Sequence, residues 1–555
     1  MALRSKPVNV EASRRLIVLI PGFGSHSREW SSLLERLQQE TGYRPAEADW
    51  MFFDHGVGFV SLGRVEDLAH RLRNRIDGEW KEHGTYKDVV LIGHSFGGLI
   101  ARRVYLLAAG AVPHQRASPW GGRVSRIVLF ASVNRGFTLN RLGRSLNLVA
   151  WLARASSRRF FYFEDVLRGS DFVTNLRIDW IRHFSRMQDQ ELDGTEKPMR
   201  APLVVQLLGD TDGIMTREDS KDVLAFPNGH YIEIADATHS DLFRLEPRFA
   251  PDPAARYAVL RDAFLAEPEN MITDPALRPA PSPINRVVMI LHGIRADNVD
   301  AWIAGLQSRL RERDPIETKV VAPTYGYFSA LRFGLPIVRR RNIPIFRDLY
   351  TEQLAQHPRA EFNIIAHSNG TYMLGYSLKK TPGMRFQNVI LAGSALPQSY
   401  NWAELMTPDA GNVRQVGRVL NERANRDFPV AILCNMLAGL GMDVGRAGFA
   451  GFHGTSTIEV AYHKGGHGQA LIPKNHGRLI NFVLGGEATR PRGLASGPGL
   501  YRQLSELSRY LGWPMIIALL ISIYILSFPA GMFNRVRAFR SMVGFVILLV
   551  ILDSL

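Results

Sequence analysis

The sequence predicts an α/β protein with two domains in tandem, each a mostly parallel sheet flanked by helices, plus C-terminal transmembrane or hairpin helices. Three observations carry this. Short apolar runs alternate with helical patterns, the arrangement that lays helices over a parallel sheet. The order of elements that begins at Leu16 starts again at Val287. Near the end, residues 510–533 form a run of 24 uncharged, mostly apolar residues, close to the roughly 20 needed to cross a bilayer.

A chain of 555 residues with 46% apolar and 21% charged residues has room for two cores and is too apolar for a disordered chain. Its formal net charge of +15 calls for an anionic partner. No helix-turn-helix, zinc-finger or RNA-binding signature accompanies the charge, so no nucleic acid is expected. An acidic membrane face suits it better, because juxtamembrane Lys and Arg are drawn to anionic lipid. Cys434 is the single cysteine; an intrachain disulfide is therefore impossible and a reducing compartment is the natural setting. Residues 1–15 hold no apolar core of a secretory signal. These features together place the folded domains on the cytoplasmic side of an inner membrane.

Two punctuated stretches divide the chain. Residues 267–283 contain five prolines and no sustained periodicity, and residues 485–499 are rich in Gly, Pro and Arg; both read as linkers. The expected units are 1–266, a linker at 267–284, a second domain at 285–484, a linker at 485–508 and membrane segments at 509–555. Residues 542–552 are also apolar but too short to span comfortably. If 510–533 crosses fully, Arg535, Arg537 and Arg540 fall outside, against the positive-inside tendency; a re-entrant hairpin removes that conflict.

Each domain opens with an apolar strand ending in a glycine turn. The first reads Leu16 to Ile20 followed by Pro21-Gly22-Phe23-Gly24; the second reads Val287 to Leu291 followed by His292-Gly293-Ile294. Helices containing Trp30 and Trp302 follow. Then comes the strand Val89-Val90-Leu91-Ile92, which runs into Gly93-His94-Ser95-Phe96-Gly97 and a helical pattern. So sharp a strand-to-helix turn needs small residues two before and two after the serine, and it presents the hydroxyl at a helix N-terminus. The five-residue pattern alone is common; strand before and helix after make it specific.

This constellation resembles the α/β hydrolases, of the lipase and esterase kind. The resemblance implies Ser95 as a nucleophile, with an acid and then a histidine further along. The late strand at 203–209 leads to Asp210 and Asp212; Asp212 matches the family pattern, whereas Asp210 is placed to cap the loop. Asp236-Ala237-Thr238-His239 is similar to the family's histidine loop. His239 would take the serine's proton, Asp212 would fix its tautomer, and the N–H of Phe96 with that of Phe23 or Gly24 would hold the oxyanion. No cofactor and no metal enter this chemistry.

The second domain repeats the elbow as Ala366-His367-Ser368-Asn369-Gly370. With His292-Gly293, with 391–397 and with 419–429 it resembles a group of bacterial α/β hydrolases. That implies Ser368 as nucleophile, Ile294 and Asn369 as oxyanion donors, Asp427 as acid with Asp443 as competitor, and His467, after a strand at 457–462, as base. His476 reads as structural. Both domains carry insertions suited to an acyl chain, at 146–184 and at 325–350, the latter mixing Phe328, Leu331, Phe333 and Leu335 with Arg339-Arg340-Arg341. The expectation is a membrane-anchored serine hydrolase of lipid-like acyl esters. The competing expectation is a membrane-tethered sensor in which one or both folds bind without catalysis.

Overall fold

The computed structural model describes residues 14–58, 61–84, 86–138, 161–192, 200–220, 228–271, 283–293, 301–323, 333–409, 413–527, 536, 539–540 and 542–543. Contacts divide the chain into two compact units, Met1–Ser282 with Tyr350–Pro358, and Pro283–Leu349 with Arg359–Leu555.

In the first unit six strands, β1 (Arg15–Ile20), β2 (Ala48–Phe52), β3 (Asp88–His94), β4 (Val124–Phe130), β5 (Leu203–Gly209) and β6 (Gly229–Ile234), pair in the order β2-β1-β3-β4-β5-β6. Every pairing is parallel. Strands covered on both faces must be apolar throughout, and six of the seven residues of β3 are buried. The helix Val65–Glu82 shows how the covering works. Its buried residues Val65, Leu68, Ala69, Leu72, Ile76 and Trp80 fall on one stripe. The helix Pro253–Leu265 starts cleanly because Asp252 accepts from the N–H groups of Ala254 and Ala255 and Pro253 takes the first turn.

The second unit is built from β7 (Arg286–Leu291), β8 (Thr318–Val321), β9 (Glu361–His367), β10 (Phe386–Ala392), β11 (Val416–Glu422) and β12 (Ile458–Glu459), ordered β8-β7-β9-β10-β11-β12 and parallel throughout. Numbered within each unit, the two orders are identical. A sheet core of Val288, Ile290, Ile365, Ile390 and Leu420 packs against Leu306 and Leu310 of the helix Ala301–Arg313 and Leu479, Phe482 and Val483 of the helix His476–Gly485. The strand expected at 457–462 pairs only at Ile458 and Glu459. Beyond it Arg423 takes over, its Nε donating to the Val460 carbonyl and its own carbonyl accepting from His463 N–H.

The last long helix, Leu500–Ser527, begins inside the stretch that reads as linker. It is long and apolar enough to cross a membrane by length and composition, over Leu500–Ser522. Residues 528–533 of the expected span, most of 542–552, and Arg535 and Arg537 lie outside the described residues.

Candidate active site

Register decides what meets the first elbow. Ile20 pairs with Gly93, so the turn after β1 lies beside the turn after β3. A Cβ on Gly93 would sit 2.6 Å from the Gly97 carbonyl oxygen, and one on Gly97 only 2.1 Å from that of Ile20. Both positions are therefore closed to larger residues. Between them Ser95 adopts φ 50° and ψ −114° at the head of the helix Phe96–Ala108. Such a backbone costs about 1–3 kcal/mol and persists where surrounding structure enforces it.

The acid follows β5 and the histidine follows β6, at the same end of the sheet. His239 Nε2 lies 2.8 Å from Ser95 Oγ, and His239 Nδ1 lies 2.9 Å from Asp212 Oδ2. The other Asp212 oxygen accepts from the N–H groups of Ile214 and Met215, each at 2.8 Å. Burial pushes the Asp212 carboxyl up, but the hydrogen bond and charge of His239 and the two N–H groups outweigh it, leaving it below its ordinary value. Asp210 points elsewhere and accepts from Ala237 N–H, as a loop cap does. Of the two candidates for a second oxyanion donor, Gly24 donates its N–H to the Val57 carbonyl at 2.9 Å. The Phe23 ring stacks on Phe96 with centroids 4.0 Å apart, and Phe137 and Phe163 extend this aromatic wall.

His94 was not singled out in the sequence, although it stands inside the elbow. It is buried, and its Nε2 lies 2.8 Å from the His239 carbonyl oxygen, tying the elbow to the histidine loop. Burial, reinforced by His239, drives its pKa down to about 3, so it stays neutral. The sequence signal was the histidine beside the serine in both elbows.

Part of the insertion at 146–184 lies outside the described residues. Of the rest, Tyr162–Asp165 is a short helix and residues 171–184 belong to the helix Asp171–Leu192, which packs on the elbow helix: Arg103 bonds Glu66 and Asp179, and Tyr105 Oη lies 2.9 Å from His183 Nε2.

In the second unit Leu291 pairs with Ala366, again setting the first turn beside the elbow, and Ser368 has φ 53° and ψ −121°. Asn369 opens the helix Asn369–Lys380 and is buried; Ile294 lies outside the described residues. His467 Nδ1 lies 2.9 and 3.0 Å from the two oxygens of Asp427, which is fully buried. Desolvation lowers the His467 pKa, but the charge and hydrogen bond of Asp427 raise it further, to a net value above the ordinary one. Among the described residues His467 Nε2 is buried without a hydrogen-bond partner, so this histidine is not joined to Ser368. Asp443 is committed elsewhere, to Arg339, Arg340 and Tyr372. His476 Nε2 lies 2.8 Å from the Leu471 carbonyl oxygen inside the core. Of the 325–350 insertion, Phe328, Leu331 and Arg332 lie outside the described residues. Phe333 is buried beneath Arg339, and Leu335 is exposed.

A doubly wound parallel sheet with a strained serine turn after its third strand defines the α/β-hydrolase class. Residues 17–251 match the family described as the alpha/beta hydrolase family, and the second unit repeats the same strand order and elbow. Among curated proteins, the bifunctional biotin biosynthesis protein BioHC of Teredinibacter turnerae is 26% identical over 227 residues, 40% of this chain but 31% of that relative's length. Among solved structures, phospholipase PlaB of Legionella pneumophila is 15% identical with a TM-score of 0.25, covering 37% of this chain and 45% of its own. A soluble variant of the monoglyceride lipase of Saccharomyces cerevisiae is 17% identical with a TM-score of 0.30, covering 46% and 88%.

Proposed function

We propose that the chain is a serine hydrolase of carboxylic esters, acting on lipid or lipid-like acyl substrates at a membrane. The observation that carries the reading is the unbroken line Ser95 Oγ, His239 and Asp212, with both links under 3 Å. Serine alone is a weak nucleophile at neutral pH. His239 takes the Ser95 proton as the hydroxyl attacks the acyl carbon and gives it to the departing alcohol. Water then repeats the sequence on the acyl-enzyme. Asp212 holds Nδ1 protonated and stabilises the imidazolium. Backbone N–H groups of Phe96 and Phe23 receive the oxyanion; one such donor is worth about 3 kcal/mol. The aromatic wall of Phe23, Phe96 and Phe137 favours an apolar acyl group.

In the second unit Ser368, His467 and Asp427 would act alike, with Asn369 N–H and Ile294 N–H as donors. The unpartnered His467 Nε2 favours one alternative there, a fold that binds a ligand without turning it over. Fluorophosphonate labelling of the wild type, Ser95→Ala and Ser368→Ala separates these readings. Labelling that is lost only with Ser95→Ala assigns catalysis to the first unit; a folded chain labelled at neither serine refutes the hydrolase. Rates on p-nitrophenyl esters of graded length and on phospholipid vesicles then test the substrate, with a short-chain optimum counting against lipid.

A further inference from the structure

The helix Leu500–Ser527 presents two neighbouring stripes, roughly 100° apart around its axis. One is docked on the second unit: Ser505 Oγ donates to the Ala431 carbonyl at 2.6 Å and accepts from Arg446 at 2.9 Å, while Asn435 donates to the Ser505 carbonyl. Ser508 is buried on the same face, and Gly512 lies against Leu440. A Cβ on Gly439 would fall 1.8 Å from the Arg509 carbonyl oxygen, so the helix is pressed close and its rotation is fixed.

The second stripe is uncovered. Leu500, Leu504, Leu507 and Leu511 are 67%, 44%, 57% and 42% exposed. They are spaced by four, three and four residues, and Pro514, Ala518 and Ile521 continue the alternation. That is the 3.5-residue period of a coiled-coil seam. Lipid suits these first three turns poorly, because they also carry exposed Arg502, Glu506 and Arg509, and charge is costly in hydrocarbon. Two residues flanking the seam, Gln503 and Tyr510, are uncharged, so they do not repel an identical copy. Beyond Trp513 the same register enters the apolar stretch, where copies in one bilayer would share an orientation.

We propose that this stripe is the seam of a parallel homodimer, a second copy of the chain packing its own four leucines against it. The proposal is independent of the catalytic reading. Cys434 is the single cysteine, so a full-length Cys434→Ala background gives clean cross-linking. With copper phenanthroline in nanodiscs, Leu504→Cys and Leu507→Cys should yield covalent dimers, and Arg502→Cys and Glu506→Cys should not. In detergent, Leu504→Lys with Leu507→Lys should halve the protein mass found by light scattering, with the circular dichroism of the wild type retained. A monomeric wild type, or equal cross-linking at all four positions, overturns the proposal. Seam cysteines shielded from a water-soluble maleimide yet never cross-linked would also overturn it, and would make lipid the occupant.

Discussion

Asp212 divides its two oxygens between jobs, one on His239 and one on the N–H groups of Ile214 and Met215. An amide in its place could still accept at one atom but would present a donor to one side, leaving His239 in the wrong tautomer. Asp212→Asn should therefore lower kcat by about 10³–10⁴-fold with the fold intact, read as ester turnover beside an unchanged near-ultraviolet spectrum. Asp210→Asn, which touches only a loop N–H, should leave kcat within a few-fold. The depressed Asp212 pKa also has a stability consequence. A carboxyl more acidic in the folded than in the unfolded chain contributes stability above its unfolded value of about 3.9. That contribution is lost as pH falls through the lowered folded value, so Asp212→Asn should flatten the acid end of the stability curve. An unfolding free energy with the same acid dependence in both proteins would contradict this.

At the scale of elements, close approach explains what was legible. The elbow could be read because sterics leave it a small set of residues: Gly97 abuts the Ile20 carbonyl, and Gly93 abuts Gly97 and Gly98. Gly97→Ala should force the elbow helix off β1 and cost about 1–3 kcal/mol, measured by urea unfolding, with Ser95 labelling lost as the geometry opens. The order of serine, acid and histidine was legible as well, since each sits at the end of an apolar strand. Less visible was anything held by non-local polar contacts. The strand after Ala450 shrinks to Ile458–Glu459 because the Arg423 side chain substitutes for a ladder. Residues 500–508, polar by composition, become helix by docking Ser505 and Ser508 onto Ala431. Glu422 is another such residue: it is fully buried at the end of β11, bonded to His463 at 2.7 Å and paired with Arg478 at 2.6 Å. Glu422→Gln leaves the partly buried Arg478 without its carboxylate, and a loss of about 3 kcal/mol from the second unit is expected. Hydrogen exchange resolved by peptide would read this as faster exchange in 416–422 and 458–467 and no change in 203–239.

Across the whole molecule, two centres of one topology differ in the environment of the base. His467 is raised above the ordinary histidine value of 6.5: burial lowers it, and the fully buried Asp427 raises it further. A general base works only after losing its proton, so a raised pKa moves the acidic limb of activity to higher pH. The Ser95→Ala chain, with only Ser368 to act, should therefore show a kcat/KM limb above 6.5. Stability runs the other way. A group whose folded pKa exceeds its unfolded one stabilises the fold below the unfolded value, and the contribution fades as pH rises through the folded value. The second unit should thus be most stable where its histidine is charged and its serine inactive, and should become active as that stabilisation is withdrawn. Asp427→Asn removes the cause of the raised pKa, so it should shift any residual limb of the Ser95→Ala chain downward and abolish this pH dependence of stability. A limb at or below 6.5 before that substitution, or one unmoved by it, would show that Asp427 does not govern the base.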